Sequence, residues 1–314
     1  MKKRIYIYSP SGAVRDLPAF RRGVARLKAL GHTVELDTDA KSRHQRFAGD
    51  DATRVAAIHR AADSGADIAL ITRGGYGITR ILNQIDFDRV ARGIHGGTQF
   101  VGLSDFTAFQ LALLRRTGAI SWAGPALCEG FGALPLPDDI MEDCFNDLVL
   151  GQGEGAGWRQ PATRIAPLPG SHAQPAQWDI ADATLWGGNL SVLVSLIGTP
   201  YFPEIEGGVL FLEDIAEHPY RLECMLSQLL WSGILQRQKA IVLGQFTEFR
   251  LTPHDQGFNM AQVVRWLRTQ VTVPIVEGLP FGHVPTKVLL PVGARVDMAV
   301  EGRDALIAWG HLHT

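Results

Sequence analysis

The sequence has few cysteines, little net charge and no long hydrophobic segment. Its 314 residues include three cysteines, Cys128, Cys144 and Cys224, which lie far apart without a C-x-x-C pair. This spacing argues against a disulfide framework and against a zinc ribbon. The formal net charge is −2, so no basic field supports nucleic-acid binding.

Membrane and secretory signals are also lacking. No stretch is long and apolar enough to span a bilayer, and the apolar run within MKKRIYIYSPSG is too brief for a secretory core. We therefore expect a soluble cytoplasmic protein that binds neither nucleic acid nor membrane.

What the sequence does contain, in its first half, is an alternation of apolar runs and amphipathic segments. It predicts strands at Arg4–Tyr8, Thr33–Asp37, Asp67–Thr72, Gln99–Leu103 and Ala119–Ala123, and helices at Pro18–Leu30, Asp51–Ser64, Ile78–Leu82 and Thr107–Arg116. Such alternation is typical of a layered α/β domain with a parallel sheet, of the Rossmann or flavodoxin-like kind. Sites in such sheets lie at the carboxyl ends of the strands.

The second half differs in character. Residues 151–177 are rich in Gly, Pro, Gln and Ala without clear periodicity and are interpreted as a linker that includes at most one short strand. Strand-like runs then become frequent, ending in a hairpin-like EGRD at 301–304. The predicted organisation is an N-terminal α/β domain at 1–150, the linker, and a β-rich α/β domain at 178–314.

The segment GLSD places Ser104 and Asp105 where an apolar strand meets a helix. One interpretation is that one of the two side chains is an N-cap, which accepts a hydrogen bond from an unpaired helix N–H. The other is that Ser104 is a nucleophile on a tight strand-to-helix turn, beside the free N–H groups of the helix. The hydrolase signature G-x-S-x-G is absent, since Phe106 occupies its last position, which removes the ordinary esterase or lipase interpretation.

A nucleophilic serine needs a base and a carboxylate that orients the base. His283 lies in the constrained loop GLPFGHVPTK, whereas His218 precedes a proline and is predicted to start the next helix. Glu213 ends the apolar run GVLFLE and is the better orienting acid, while Asp214 is predicted to be an N-cap of the following segment.

The loop RGGYG at 73–77 admits three interpretations: a tight turn, a phosphate cradle, or a bare backbone that approaches an oxyanion. Neither G-x-G-x-x-G nor G-x-x-x-x-G-K-[ST] occurs near it, so nucleotide binding has weak support.

Seven ordered segments together resemble the LD-carboxypeptidase family of serine peptidases, the muramoyltetrapeptide carboxypeptidases: TRGGYGITRIL, GLSDFTAFQLAL, GPAL, WGGNLSVL, GVLFLEDI, VLGQFT and GLPFGHVPTKVLLPVGARV. The resemblance implies that Ser104 is the nucleophile, Glu213 the orienting acid and His283 the general base. It implies an oxyanion hole formed by the N–H groups of Gly75 and Asp105. It further implies hydrolysis of the bond to the terminal D-alanine of cytoplasmic murein tetrapeptides, a homodimer, and no metal or cofactor.

Recognition of the substrate carboxylate is predicted for residues in glycine-rich loops. Arg73, Asn189 and Trp186 are the candidates, and Tyr76 is also predicted to bind substrate. Within the family that the chain resembles, Tyr76 favours the murein branch over the branch resembling microcin-immunity peptidases, which cleaves peptidyl-adenylates. That second branch and a non-catalytic two-domain binder of small molecules remain the alternatives.

Overall fold

The computed structural model describes residues 2–162, 166–172 and 175–312. Its strands are β1 (Arg4–Tyr8), β2 (Thr33–Leu36), β3 (Ile68–Ile71), β4 (Gln99–Gly102), β5 (Ser121–Ala123), β6 (Gly155–Arg159), β7 (Gln177–Asn189), β8 (Val209–Ile215), β9 (Ala240–Thr247), β10 (Ile275–Glu277), β11 (Leu290–Val292), β12 (Arg295–Glu301) and β13 (Asp304–Ala308). Its α-helices are α1 (Leu17–Ala29), α2 (Asp51–Asp63), α3 (Phe87–His95), α4 (Phe106–Thr117), α5 (Asp139–Leu150), α6 (Leu190–Ser195), α7 (Pro219–Trp231) and α8 (Met260–Gln270).

The first sheet has the order β11-β5-β4-β3-β1-β2, and β1 to β5 are parallel. Without β11 this is the flavodoxin-like order, in which a crevice opens where the strand order reverses, between β1 and β3. The α/β prediction is therefore confirmed. The loops after β1, β3 and β4 all leave the carboxyl edge of this sheet.

The second sheet has the order β10-β9-β8-β7-β12-β13-β6. Strands β7 to β10 are parallel, and β12, β13 and β6 continue the sheet as antiparallel neighbours. Strand β11 follows β10 in sequence but pairs antiparallel with β5 of the first sheet. The segment 278–289 therefore crosses from one sheet to the other.

Side-chain caps explain several helix starts. Asp16, Asp50, Asp86 and Asp138 each accept a hydrogen bond from the backbone N–H three residues later, which satisfies a donor that the helix leaves unpaired. The helix predicted at Ile78–Leu82 is wrong: these residues form turns, and only a 3₁₀ turn follows at Leu82–Gln84. The helices capped by Asp86 and Asp138 escaped the sequence analysis.

The predicted linker contributes to the second sheet, because β6 lies within it and pairs with β13. Residues 163–165 and 173–174 of that linker are outside the described ranges, and the domain boundary stays a prediction. No helix in the described ranges combines the length and the apolar character needed to cross a bilayer.

Candidate active site

Ser104 sits on a strained turn between β4 and α4. Its φ is +66°, in the left-handed region that non-glycine residues rarely adopt. The carbonyl of Leu103 accepts the N–H of Phe106, and the carbonyl of Ser104 accepts that of Thr107, so the chain turns directly into the helix. A residue held in such a conformation at a strand-to-helix turn is typical of functional sites.

The interpretation that a side chain of GLSD caps the helix is wrong. Asp105 occupies the N-cap position of α4, but its side chain makes no capping hydrogen bond. The buried carboxylate instead accepts hydrogen bonds from Ser11 Oγ at 2.5 Å and from the Ile78 N–H at 2.9 Å. Burial raises the pKa of Asp105, and these two hydrogen bonds oppose that rise.

Glu213 and His283 form a hydrogen-bonded pair. Glu213 Oε2 lies 2.8 Å from His283 Nδ1, and the glutamate side chain is completely buried while the imidazole is 17% exposed. Burial lowers the pKa of His283, but the hydrogen bond and charge of Glu213, with the charges of Asp214 and Glu129, raise it above its ordinary value overall. The carboxylate therefore both orients the ring and stabilises its protonated form.

The loop that carries His283 is fixed on both sides. Gln245 N–H of β9 donates to Phe281 O at 2.9 Å, and Val288 N–H donates to Pro280 O at 2.8 Å. The ammonium of Lys287, itself buried, donates to the carbonyls of Val284 and Pro285. Because these hydrogen bonds fix the backbone of the loop, the loop can hold an imidazole in one orientation.

Asn189 lies at the end of β7 beside Glu213 on β8. Its Nδ2 donates to Glu213 Oε1 at 3.1 Å and to Asp214 Oδ1 at 3.0 Å, and its Oδ1 accepts from the N–H of Val192. Burial and the adjacent charge of Glu213 raise the pKa of Asp214 to about 6. Asp214 is not an N-cap of the following helix, because His218 occupies the N-cap of α7. This agrees with the prediction that His218 lies at the start of that helix.

The glycine loop after β3 lies directly against Ser104. A Cβ added to Gly74 would be 2.6 Å from Ser104 Cβ and 2.8 Å from its Oγ, so only a residue without a side chain allows this approach. Gly75 follows at a φ of +112°. In the described structure, neither the Gly75 N–H nor the Asp105 N–H is paired with another backbone group.

Some of these residues line one cavity of about 470 Å³. Arg73, Gly74, Gly75 and Ser104 line it from the first sheet, and His283 and Lys287 line it from the segment that crosses between the sheets. Within the described residues no hydrogen bond links Ser104 Oγ to His283. Catalytic hydrogen bonds are often long in unliganded enzymes and shorten when substrate binds.

Arg73 lies on the wall of this cavity, as a carboxylate-binding group must. Its side chain is 13% exposed, and its Nε is 3.6 Å from Glu129 Oε1, a long ion pair. A Cβ on Gly75 would be 2.5 Å from Arg73 Nη1, so the guanidinium packs against the glycine loop.

The other three predicted substrate-binding residues do not line the cavity. Trp186 is buried in the core, where its indole N–H donates to Gln238 at 2.9 Å, so its predicted contact with substrate is wrong. Asn189 is also buried, and its amide donates hydrogen bonds to Glu213 and Asp214, so it holds the Glu213 carboxylate in place instead of contacting the cavity. Tyr76 is half exposed, with its ring 6.0 Å from that of Phe47, and does not line the cavity.

Sequence reasoning missed the bracing role of Asn189 and the contacts of the Asp105 side chain. The only sequence signal for the latter is a second short Ser- and Gly-containing turn, SPSG, directly after β1. Within the described residues no group of three or more His, Cys, Asp or Glu side chains could hold a metal ion.

Comparison with known proteins matches both halves of the chain. Residues 5–124 match the model of the LD-carboxypeptidase N-terminal domain, and residues 182–298 match that of the LD-carboxypeptidase C-terminal domain. The crystal structure of a muramoyltetrapeptide carboxypeptidase from Oxalobacter formigenes is 38% identical, with a TM-score of 0.85, and covers 99% of this chain and 100% of that one.

Two further relatives extend this similarity at the level of sequence. A probable murein peptide carboxypeptidase of Bacillus subtilis is 30% identical over 90% of this chain and 85% of its own length. The microcin C7 self-immunity protein MccF of Escherichia coli is 24% identical over 77% of this chain and 74% of its own length.

Proposed function

Because the chain belongs to the LD-carboxypeptidase family and is a serine-type peptide hydrolase, we propose that it releases the terminal D-alanine of murein tetrapeptides through Ser104, His283 and Glu213. The observation that carries this proposal is the Glu213–His283 pair, joined at 2.8 Å, whose imidazole lines the same cavity as a serine held at a φ of +66°.

In the proposed reaction, Ser104 Oγ attacks the scissile carbonyl carbon while His283 Nε2 accepts the hydroxyl proton. Glu213 accepts the Nδ1–H of the ring and stabilises the imidazolium. The ring then gives its proton to the departing amino group of D-alanine, which leaves a Ser104 ester. Water attacks this ester with His283 again as the base, and the shortened peptide is released.

The negative oxygen of each tetrahedral intermediate would lie between the N–H groups of Gly75 and Asp105. Both donors belong to turns next to Ser104, and the Asp105 N–H is at the start of α4, where the helix dipole favours negative charge. The third interpretation of the glycine loop, an oxyanion site, is thus the one we adopt.

An exopeptidase must also bind the terminal carboxylate of its substrate. Arg73 is the cationic group that we assign to this role, because it lines the cavity beside Gly75 and its ion pair with Glu129 is long. A guanidinium can bind a carboxylate through two parallel hydrogen bonds. We further propose that the enzyme acts on cytoplasmic peptides during murein recycling and that it forms a homodimer.

The test is incubation of the purified protein with a murein tetrapeptide ending in D-alanine, followed by mass analysis for the loss of one alanine. Ser104→Ala should abolish turnover, by several orders of magnitude, and retain binding of the peptide. Ser195→Ala is a matched control, because that hydroxyl lies exposed on α6 and donates only to Val192 O.

Three outcomes would contradict the proposal. Normal turnover by Ser104→Ala would remove the nucleophile. Cleavage of a peptidyl-adenylate without release of alanine would place the chain with the branch that includes MccF. Failure to cleave either substrate, together with no labelling by a fluorophosphonate that fits the cavity, would favour the non-catalytic binder.

A further inference from the structure

The Asp105 side chain joins three loops at the carboxyl edge of the first sheet. Asp105 follows the proposed nucleophile, and its Oδ2 accepts both the Ser11 hydroxyl, from the loop after β1, and the Ile78 N–H, from the loop after β3. Asp105 and Ser11 are both almost fully buried. A buried carboxylate shared by three loops holds them in fixed relative positions, since releasing either donor would leave a buried polar group unpaired.

The loop after β1 also orients the peptide that carries the second oxyanion donor. Gly12, next to Ser11, donates its N–H to Gly74 O at 3.2 Å. In a planar trans peptide the C=O and the following N–H point in opposite directions. Holding the Gly74 carbonyl on Gly12 therefore turns the Gly75 N–H away from Gly12.

The far end of the glycine loop is held in the same way. Ile78 N–H is bound to Asp105, and Arg54, which is completely buried, donates from Nη1 to Gly77 O at 2.7 Å. The segment from Gly74 to Ile78 is thus fixed before and after Gly75, and at each end one of the contacts leads, directly or through Ser11, to the Asp105 carboxylate.

We propose that the Asp105 side chain is a positioning residue for the oxyanion hole: its backbone N–H supplies one donor, and its carboxylate sets the Gly75 N–H, the other donor. This inference rests on the proposed function, because it needs the oxyanion site beside Ser104. Preorganised donors stabilise the transition state more than the bound substrate, so loss of the carboxylate affects kcat and leaves substrate binding in place.

The experiment compares Asp105→Ala with Asp105→Asn in the alanine-release assay. Asp105→Ala should lower kcat by about 10²- to 10³-fold, the loss typical of one oxyanion donor, with KM within about threefold. The Ki of a peptide boronic acid, a reversible tetrahedral analogue, should rise by the same factor as kcat falls. Asp105→Asn keeps an acceptor for Ser11 and Ile78 and should recover kcat to within about tenfold of the unmodified enzyme.

Asp37→Ala is the matched control. Asp37 is another buried carboxylate at the carboxyl edge of the same sheet, but it accepts from Tyr6 and Arg60 and does not line the cavity. We expect this variant to melt at a lower temperature with unchanged kcat. A fall in kcat equal to that of Asp105→Ala would overturn the inference, because loss of any buried carboxylate would then suffice.

Ser11→Ala decides the question if Asp105→Ala does not fold, because it leaves the carboxylate bound to Ile78. It should fold and lose about tenfold in kcat with parallel weakening of the boronic acid. Unchanged kcat in a folded Ser11→Ala or Asp105→Ala variant refutes the positioning role, whereas activity of Ser104→Ala would refute the proposed function itself.

Discussion

Glu213→Gln should inactivate the enzyme by fixing His283 in the wrong tautomer. Asn189 Nδ2 donates to Glu213 Oε1 at 3.1 Å, while Oε2 faces His283 Nδ1 at 2.8 Å. The Asn189 amide cannot turn freely, because its Oδ1 accepts from Val192 N–H at 3.2 Å. The introduced amide must therefore present its oxygen to Asn189 and its NH₂ to His283 Nδ1. The ring then carries its proton on Nε2 and cannot accept one from Ser104.

The size of the effect follows from the cost of the opposite orientation. Turning the introduced amide would set its NH₂ against that of Asn189 and leave two buried donors without acceptors, at about 1–3 kcal/mol each. The total of about 2–6 kcal/mol corresponds to about 30- to 3 × 10⁴-fold in rate at 1.36 kcal/mol per tenfold. Loss of the charge that stabilises the imidazolium adds to this, and the equivalent change in another serine protease costs about 10⁴-fold. We expect kcat to fall by about 10³- to 10⁴-fold.

The assay is release of D-alanine from the murein tetrapeptide, with unfolding followed by circular dichroism to show that the variant is folded. Asp214→Asn is the matched control, since Asp214 is a buried carboxylate adjacent in sequence whose hydrogen bonds go to Asn189, Ser191 and Ile215 and not to the imidazole. We expect it to lose less than tenfold in kcat. If Glu213→Gln retains kcat within tenfold while Ser104→Ala is inactive, the tautomer argument fails.

Three further outcomes are expected. Because the base must be neutral and the pKa of His283 is raised despite burial, by Glu213 above all, kcat/KM should rise with pH with a midpoint above 6.5; a midpoint below 6.5 contradicts this. Gly74→Ala should lower kcat more than 100-fold, because its Cβ would lie 2.6 Å from Ser104 Cβ, whereas Gly153→Ala, with 3.7 Å to its nearest neighbour, should have normal kinetics. Ser104→Gly should be inactive but more stable than Ser104→Ala by about 0.5–1 kcal/mol in thermal melts. Glycine accepts the φ of +66° that costs alanine about 1–2 kcal/mol, and the larger conformational entropy that glycine loses on folding offsets part of this gain. Equal stability of the two variants would show that the turn is unstrained.

The parallel sheet could be predicted because most of its strands are short apolar runs bounded by polar or glycine-containing turns. The helix predicted at Ile78–Leu82 failed for a physical reason: Ile78 N–H is held by Asp105 and Gly77 O by Arg54, so this backbone is paired with distant side chains and not within a helix. Such long-range hydrogen bonds override local helix propensity, and they cannot be predicted from the local sequence pattern.

The residues of the candidate site likewise include some that the sequence pattern predicts and others whose positions depend on tertiary contacts. Ser104 follows strand β4 and Glu213 lies near the carboxyl end of β8, where sequence periodicity changes and a carboxyl-edge site is expected. Trp186 and Asn189 stand next to a glycine pair, which suggested an open loop; the structure instead continues β7 through Asn189 and buries both side chains. Glycine here reflects close backbone packing, because a Cβ on Gly187 would be 1.9 Å from Phe211 O.

The proposed nucleophile follows a strand of the first sheet and the proposed orienting acid lies on a strand of the second, so their alignment depends on contacts between the sheets. Thr107, in the first turn after Ser104, accepts the Asn189 N–H on its Oγ1 at 3.0 Å, and Asn189 in turn holds Glu213. This approach requires a glycine at 188, where a Cβ would lie 2.5 Å from Thr107 Oγ1 and φ is +129°. The helix that begins beside Ser104 is thereby fixed to the strand that carries Glu213. The segment with His283 also crosses between the sheets, so backbone packing at this interface sets the relative positions of Ser104, Glu213 and His283. A side chain at 188 would displace these groups through Thr107, whose atoms are the nearest to a Cβ at that position.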